Sequence, residues 1–208
     1  MKEGRRTAEQ ADLRRDQVKY GCRNPIGRAL VARFTAHLEQ RVSSLESAEV
    51  LDVGCSDGRL IGQLAPRLGG ASIVACDISL TALADAPRRT PSVQFVAASA
   101  YALPFSDKSF GTVLAFEVLE HLEFPEQALL EIARVCRRYV MLSVPHEPLW
   151  RWLNLARGKY VRHFGNTPGH LQHWTAGSFV RLVGQHFRVT RVARVLPWTV
   201  VTAEAQTD

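Results

Sequence analysis

An apolar run that ends in a glycine-punctuated turn and opens a helical pattern constrains this chain more than any other stretch. Residues 50–59 read Val50, Leu51, Asp52, Val53, Gly54, Cys55, Ser56, Asp57, Gly58 and Arg59. Such a run suits a parallel strand buried on both faces. Gly54 and Gly58 permit a sharp turn and a close approach of backbone to ligand, because neither carries a Cβ. Leu60, Ile61, Leu64 and Leu68 follow with helical spacing, so the free N–H groups of a new helix point back at whatever the turn holds. Strand, glycine turn and helix together make an anion-binding arrangement. The spacing does not fit the dinucleotide pattern G-x-G-x-x-G, because after Gly54 the next two glycine positions are Ser56 and Arg59.

Further short apolar runs at 71–76, 93–97, 111–116 and 139–144 read as strands, and helical patterns separate most of them. These patterns cover 80–86 and 125–137, where Ala128, Leu129, Ile132 and Val135 share a face. Upstream, Ile26, Leu30, Val31, Phe34 and Leu38 outline an amphipathic helix with Pro25 near its start. Strands alternating with helices predict parallel pairing in a doubly wound α/β sandwich. A chain of 208 residues suffices for one well-buried domain with attachments. We therefore expect a charged N-terminal arm over 1–24 and a single domain over 25–208. The rhythm breaks after His146, and residues 146–174, rich in Trp, Arg, His and Gly, read as an insertion or lid. A helix over 176–185 and two β-like runs, 187–196 and 199–203, complete the chain.

The strand ends carry the chemistry, because ligands of open α/β sheets sit beyond the carboxyl ends of the strands. Asp77 ends the second strand and can accept hydrogen bonds from both hydroxyls of an adenosine ribose. Asp52, Gly54 and Gly58 resemble motif I of the class I S-adenosylmethionine-dependent methyltransferases, an acidic residue two before a G-x-G-x-G turn, with Ser56 replacing the middle glycine. Leu103, Pro104, Phe105 and Phe110 are similar to another stretch of that family, with Ser99 where an adenine-binding Asp is usual and Gly111 where an Asp commonly opens the fourth strand. Glu117, Val118, Leu119, Glu120, His121 and Leu122 match the family's Glu-Val-Leu-Glu-His-Leu segment residue for residue. The resemblance covers roughly residues 48–145 and is to small-molecule methyltransferases of type 11.

This resemblance implies a Rossmann-like, doubly wound seven-stranded sheet, mostly parallel with an antiparallel C-terminal pair, and helices on both faces. It implies S-adenosyl-L-methionine as cofactor, held by Asp52, Gly54, Cys55, Ser56, Gly58, Asp77, Ile78, Ser99, Ala100, Phe116 and His121. Ile78 would lie on the adenine face, and Phe116 would border the reacting methyl group, where an aromatic ring favours the sulfonium. Glu117 and Glu120 are expected in the acidic first turn of a helix.

Methyl transfer needs alignment and exclusion of water, and a base only when the acceptor is weakly acidic. His146, just beyond the fifth strand, is the candidate base, with His173 and Trp174 as further candidates at the acceptor. His163, His170 and His173 follow H-x6-H-x2-H without a nearby cysteine or carboxylate, which fits no common structural zinc pattern, so no metal is expected.

Charge is uneven within the net +6: residues 29–133 carry seven Lys/Arg against thirteen Asp/Glu, and residues 134–191 ten against one. The basic half suits an anionic partner. Residues 149–162 mix aromatics with Arg and Lys, the pattern of an amphipathic helix that lies on a membrane surface or cradles an apolar ligand with an anionic head. Small-molecule or lipid-like acceptors are therefore expected, and nucleic acid is disfavoured for want of a recognisable RNA-binding module. An RNA or protein methyltransferase, and a non-catalytic protein of the same fold, remain as alternatives. The scattered cysteines and the absence of an apolar leader suggest a cytoplasmic protein.

Overall fold

Seven strands form one sheet in the order β3-β2-β1-β4-β5-β7-β6. The computed structural model describes residues 25–156, 158, 160, 163–167 and 169–206, so the expected arm over 1–24 lies outside the described residues. Its elements are α1 (Pro25–Val42), β1 (Glu49–Val53), α2 (Arg59–Leu64), β2 (Ser72–Asp77), α3 (Leu80–Leu83), α4 (Ala86–Arg89), β3 (Val93–Ala97) and β4 (Phe110–Phe116). They continue with α5 (Pro125–Val135), β5 (Cys136–Pro145), α6 (Leu149–Ala156), α7 (Ala176–Gly184), β6 (Phe187–Val195) and β7 (Trp198–Ala205). Two compact units divide the chain, residues 1–100 and 101–208.

In the first unit β1, β2 and β3 run parallel, with Val53 opposite Cys76 and Asp77 opposite Ala97. Val50, Leu51 and Val53 are buried in β1, and the α1 residues Phe34, Leu38 and Val42 are fully buried. The expected helix over 80–86 is two short helices, α3 and α4. Pro87 in the first turn of α4 explains the break, since its ring favours a fresh start and lacks the N–H that a continuing helix needs.

In the second unit β4 and β5 pair in parallel, while β7 runs antiparallel to both β5 and β6. Every residue of β4 is buried, as expected for an internal strand. β6 closes one edge of the sheet, with Arg188, Arg191 and Arg194 along it. Charges there discourage pairing with another chain. α5 stops at Val135 rather than continuing to Arg137, because Cys136 turns extended and begins β5 opposite Phe110.

One guanidinium fixes the Leu103, Pro104, Phe105 stretch. Arg134 donates to Leu103 O (2.8 Å), Phe105 O (2.7 Å), Asp107 Oδ1 (2.8 Å) and Glu131 Oε1 (2.8 Å). Glu131 in turn accepts from Leu103 N–H at 2.8 Å, and hydrogen bonding from Arg134 holds its carboxyl below the usual range. A lysine offers a point charge in place of this planar fork. Arg134→Lys should therefore lower stability by about 1–2 kcal/mol in urea unfolding, the scale of one or two lost charged hydrogen bonds.

Candidate active site

The first unit holds the glycine turn against the end of β2. Gly54 N–H and Cys55 N–H both donate to Cys76 O, at 2.7 and 3.0 Å. Asp77, the last residue of β2, accepts from Ser56 N–H through Oδ2 and from Ser79 N–H through Oδ1, each at 2.8 Å. Gly54, Ser56 and Gly58 adopt φ of 75°, 50° and 75°. Ser56 thus takes the left-handed conformation that a glycine there would adopt without strain. At Gly58 a Cβ would stand 2.8 Å from the Phe95 ring, so the third glycine is required by packing as well as by conformation. Asp57 steadies the turn by pairing with Arg59 (2.9 Å) and Arg89 (2.7 Å).

Other expected cofactor residues of this unit fall nearby. Ile78, next to Asp77, is 74% exposed, an apolar face open to a flat ring. Ala98 N–H donates to Asp77 O at 3.0 Å, which places Ser99 and Ala100 just beyond the end of β3. Asp52 is buried, and that burial, with the nearby charge of Asp77, pushes its carboxyl up to about 8. Burial also raises the thiols of Cys55 and Cys76, so both stay protonated and unsuited to nucleophilic work.

The second unit carries the remaining residues. Phe116 ends β4 and is 7% exposed. Glu117 does not enter a helical first turn as expected: its φ is 60°, its N–H donates to Ser143 O (3.0 Å), and its Oε2 accepts from Trp198 Nε1 at 2.7 Å. The backbone bond to β5 and the indole bond to β7 account for the departure. Only Leu119–His121 form a helical turn, of the 3₁₀ type, with Glu120 buried in it. Trp198 lies 5.7 Å from Trp150 between ring centroids, and Trp150 stacks on His170 at 6.3 Å. His170 meets His121 edge to face at 5.0 Å.

The lid candidates lie in the same unit. His146 forms an isolated bridge with Trp174, and Glu147 N–H donates to Trp174 O at 2.9 Å. His146 Nδ1 lies 3.2 Å from Thr199 Oγ1, while His173 Nε2 lies 2.8 Å from Asn166 Oδ1. Burial, then Arg194, lowers the His146 pKa, whereas burial, then Arg151, lowers that of His173. Both imidazoles are thus neutral near pH 7, the form a base requires. His163, His170 and His173 do not form one ligand group; His170 instead joins Glu120 and His121. Trp150 and Trp198 join this ring cluster without having been singled out in the sequence. A signal existed, since all four tryptophans lie after residue 145.

Asp52 makes stability depend on pH. Its folded-state carboxyl keeps a proton that the unfolded chain releases near pH ~4, so its contribution is fully present below that value and is lost as pH rises through about 8. Unfolding midpoints should fall between those limits, and Asp52→Asn should flatten the fall.

Known proteins resemble this chain in sequence and in fold. Residues 51–143 match the family described as methyltransferase domain. An O-methyltransferase of Aspergillus nomiae is 34% identical over 117 residues, covering 54% of this chain and 52% of that protein. A demethylmenaquinone methyltransferase of Paenarthrobacter aurescens is 36% identical over 108 residues, 50% of this chain and 42% of that protein. The chain thus spans about half the length of the curated relatives it matches. The magnesium protoporphyrin IX methyltransferase from Synechocystis PCC 6803, solved with bound SAH, superposes with a TM-score of 0.71 at 19% identity, covering 95% of this chain and 94% of that one. Residues 51–143 are thus similar to the methyltransferase domain family, and the chain shares the Rossmann-like fold of S-adenosylmethionine-dependent methyltransferases.

Proposed function

We propose that the protein transfers the methyl group of S-adenosylmethionine to a small-molecule or lipid-precursor acceptor. The observation that carries this reading is the Asp77 carboxylate, which ends β2 and is bound to the Ser56 and Ser79 N–H groups beside the glycine turn, where a ribose would be met. The neighbouring groups fit the cofactor: Ile78 offers an exposed apolar face, and a Cβ at Gly58 would collide with Phe95. When bound, the cofactor supplies an activated methyl group on a sulfonium. The chain's own residues orient it, exclude water and, where the acceptor is a hydroxyl, remove a proton.

Small-molecule acceptors are favoured by the relatives, among them an O-methyltransferase and a demethylmenaquinone methyltransferase. Residues 146–174 serve as the acceptor lid. Trp150 Nε1 donates to Thr167 Oγ1 at 2.9 Å, and Asn154 Nδ2 donates to Gly165 O at 2.9 Å, so α6 and the following turns hold each other. Trp152 and Phe164 are 67% and 75% exposed, with Arg151 Nε donating to Phe164 O. Exposed aromatics beside a cation suit an apolar acceptor with an anionic head, met at a membrane surface. Among the described residues no helix is long and apolar enough to cross a membrane.

Two measurements test the reading. Calorimetry should show S-adenosylmethionine binding that Asp77→Ala weakens by roughly 1.5–3 kcal/mol, the scale of lost charged hydrogen bonds; unchanged affinity would remove Asp77 from the ribose site. A labelled-methyl screen over quinone, polyketide, sugar and lipid acceptors identifies the substrate class. With a hydroxyl acceptor, His146→Ala should lower kcat by about 10²–10⁴. The parent rate should rise with pH through a value below the ordinary histidine range, because burial and Arg194 favour the neutral imidazole.

A further inference from the structure

Three donors of the second unit converge, among them His121, which the family resemblance assigns to the cofactor. One ligand atom from each of Glu120, His121 and His170 lies within 4.8 Å of the other two. We propose that these residues bind one divalent first-row transition cation and leave coordination positions open to an oxygen ligand.

The local structure prepares the set in two ways. His121 Nδ1 lies 3.0 Å from Gly169 O. A carbonyl only accepts, so Nδ1 carries the proton and Nε2 carries the lone pair of the neutral ring. An imidazole whose second nitrogen is held by a carbonyl is the usual form of a histidine ligand. Separately, residues 169–172 are fastened onto residues 120–123. Leu171 and Gln172 N–H both donate to Glu120 O, at 2.8 and 3.1 Å. The Gln172 side chain donates to Leu122 O and Glu123 O at 3.2 and 3.3 Å. This clasp brings His170 to Glu120 and His121 across the intervening chain, and Glu120 is 1% exposed.

Two imidazoles and a carboxylate suit zinc, iron(II) or cobalt(II), whereas calcium and magnesium prefer oxygen donors throughout. Neighbouring ligand atoms of a tetrahedral zinc stand roughly 3.3 Å apart. The present limit of 4.8 Å therefore asks for at most ~1.5 Å of closing, within reach of side-chain rotation. Three protein ligands leave room for a water or for a hydroxyl, enol or carboxylate oxygen, whose proton a bound cation makes easier to remove. The site stands on its own geometry and does not depend on the methyl-transfer reading.

The full chain, stripped with a chelator, is titrated with cobalt(II), followed by its ligand-field absorption, and then challenged with zinc. The expected result is one cobalt per chain, displaced by zinc, with affinity lowered at least tenfold in His121→Gln and in His170→Gln. His163→Gln, which changes an exposed histidine outside the cluster, should leave affinity unchanged. Zinc should raise the unfolding midpoint of the parent and of His163→Gln but not of the two cluster variants, each compared with its own metal-free midpoint. Cobalt bound at less than half an equivalent at micromolar concentration, or equally well by the cluster variants, overturns the proposal. Binding of S-adenosylmethionine by the same stripped protein is read separately, so failure at one site is not mistaken for failure at the other.

Discussion

The Asp77 carboxylate holds the first unit's functional end in place. It ends β2, yet its two oxygens accept from Ser56 in the glycine turn and from Ser79 at the start of α3. Both bonds have a charged acceptor and backbone donors, the stronger class of protein hydrogen bond. They fasten a turn whose residues take left-handed conformations and would otherwise wander. The same charge falls on Asp52, which burial already pushes toward its protonated form. One carboxylate thus stays hydrogen-bonded to the turn while the other is driven toward neutrality, and two acidic side chains close together avoid mutual repulsion.

The second unit is organised by aromatic and imidazole rings. Glu117, strained at positive φ, holds the Trp198 indole, and the ring series continues through Trp150 and His170 to His121. Strain of this kind persists where surrounding contacts over-determine the backbone. Here those contacts are the Ser143 carbonyl and the Trp198 N–H. The motif that matched the family residue for residue therefore does not open an α-helix: it holds the last hairpin through Glu117 and residues 171–172 through Glu120.

Much of this was legible in the sequence wherever the signal is local. The apolar runs gave the strands to within a few residues, and β3 at its observed bounds. Asp52, Gly54, Gly58 and Asp77 could be placed because turn chemistry and strand ends act over short distances. The bond between Glu117 and Trp198 spans 81 residues, and that between His121 and Gly169 spans 48. No periodicity records such pairings, since they arise only when the sheet brings β4, β5 and β7 side by side. The histidine spacing says nothing of partners for the same reason: His170 and His173 are close in sequence, but His173 turns to Asn166 and His170 to His121.

The bridge between His146 and Trp174, with the Glu147 to Trp174 bond beside it, makes the residues between them a closed loop with a paired neck. The entropy of closing such a loop grows slowly, by only ~0.6 kcal/mol for each doubling of length. Its interior can therefore be lengthened, shortened or rewritten while the neck and the sheet beneath it stay as they are. A change of length at the outer end of that loop is thus cheap for the sheet beneath it.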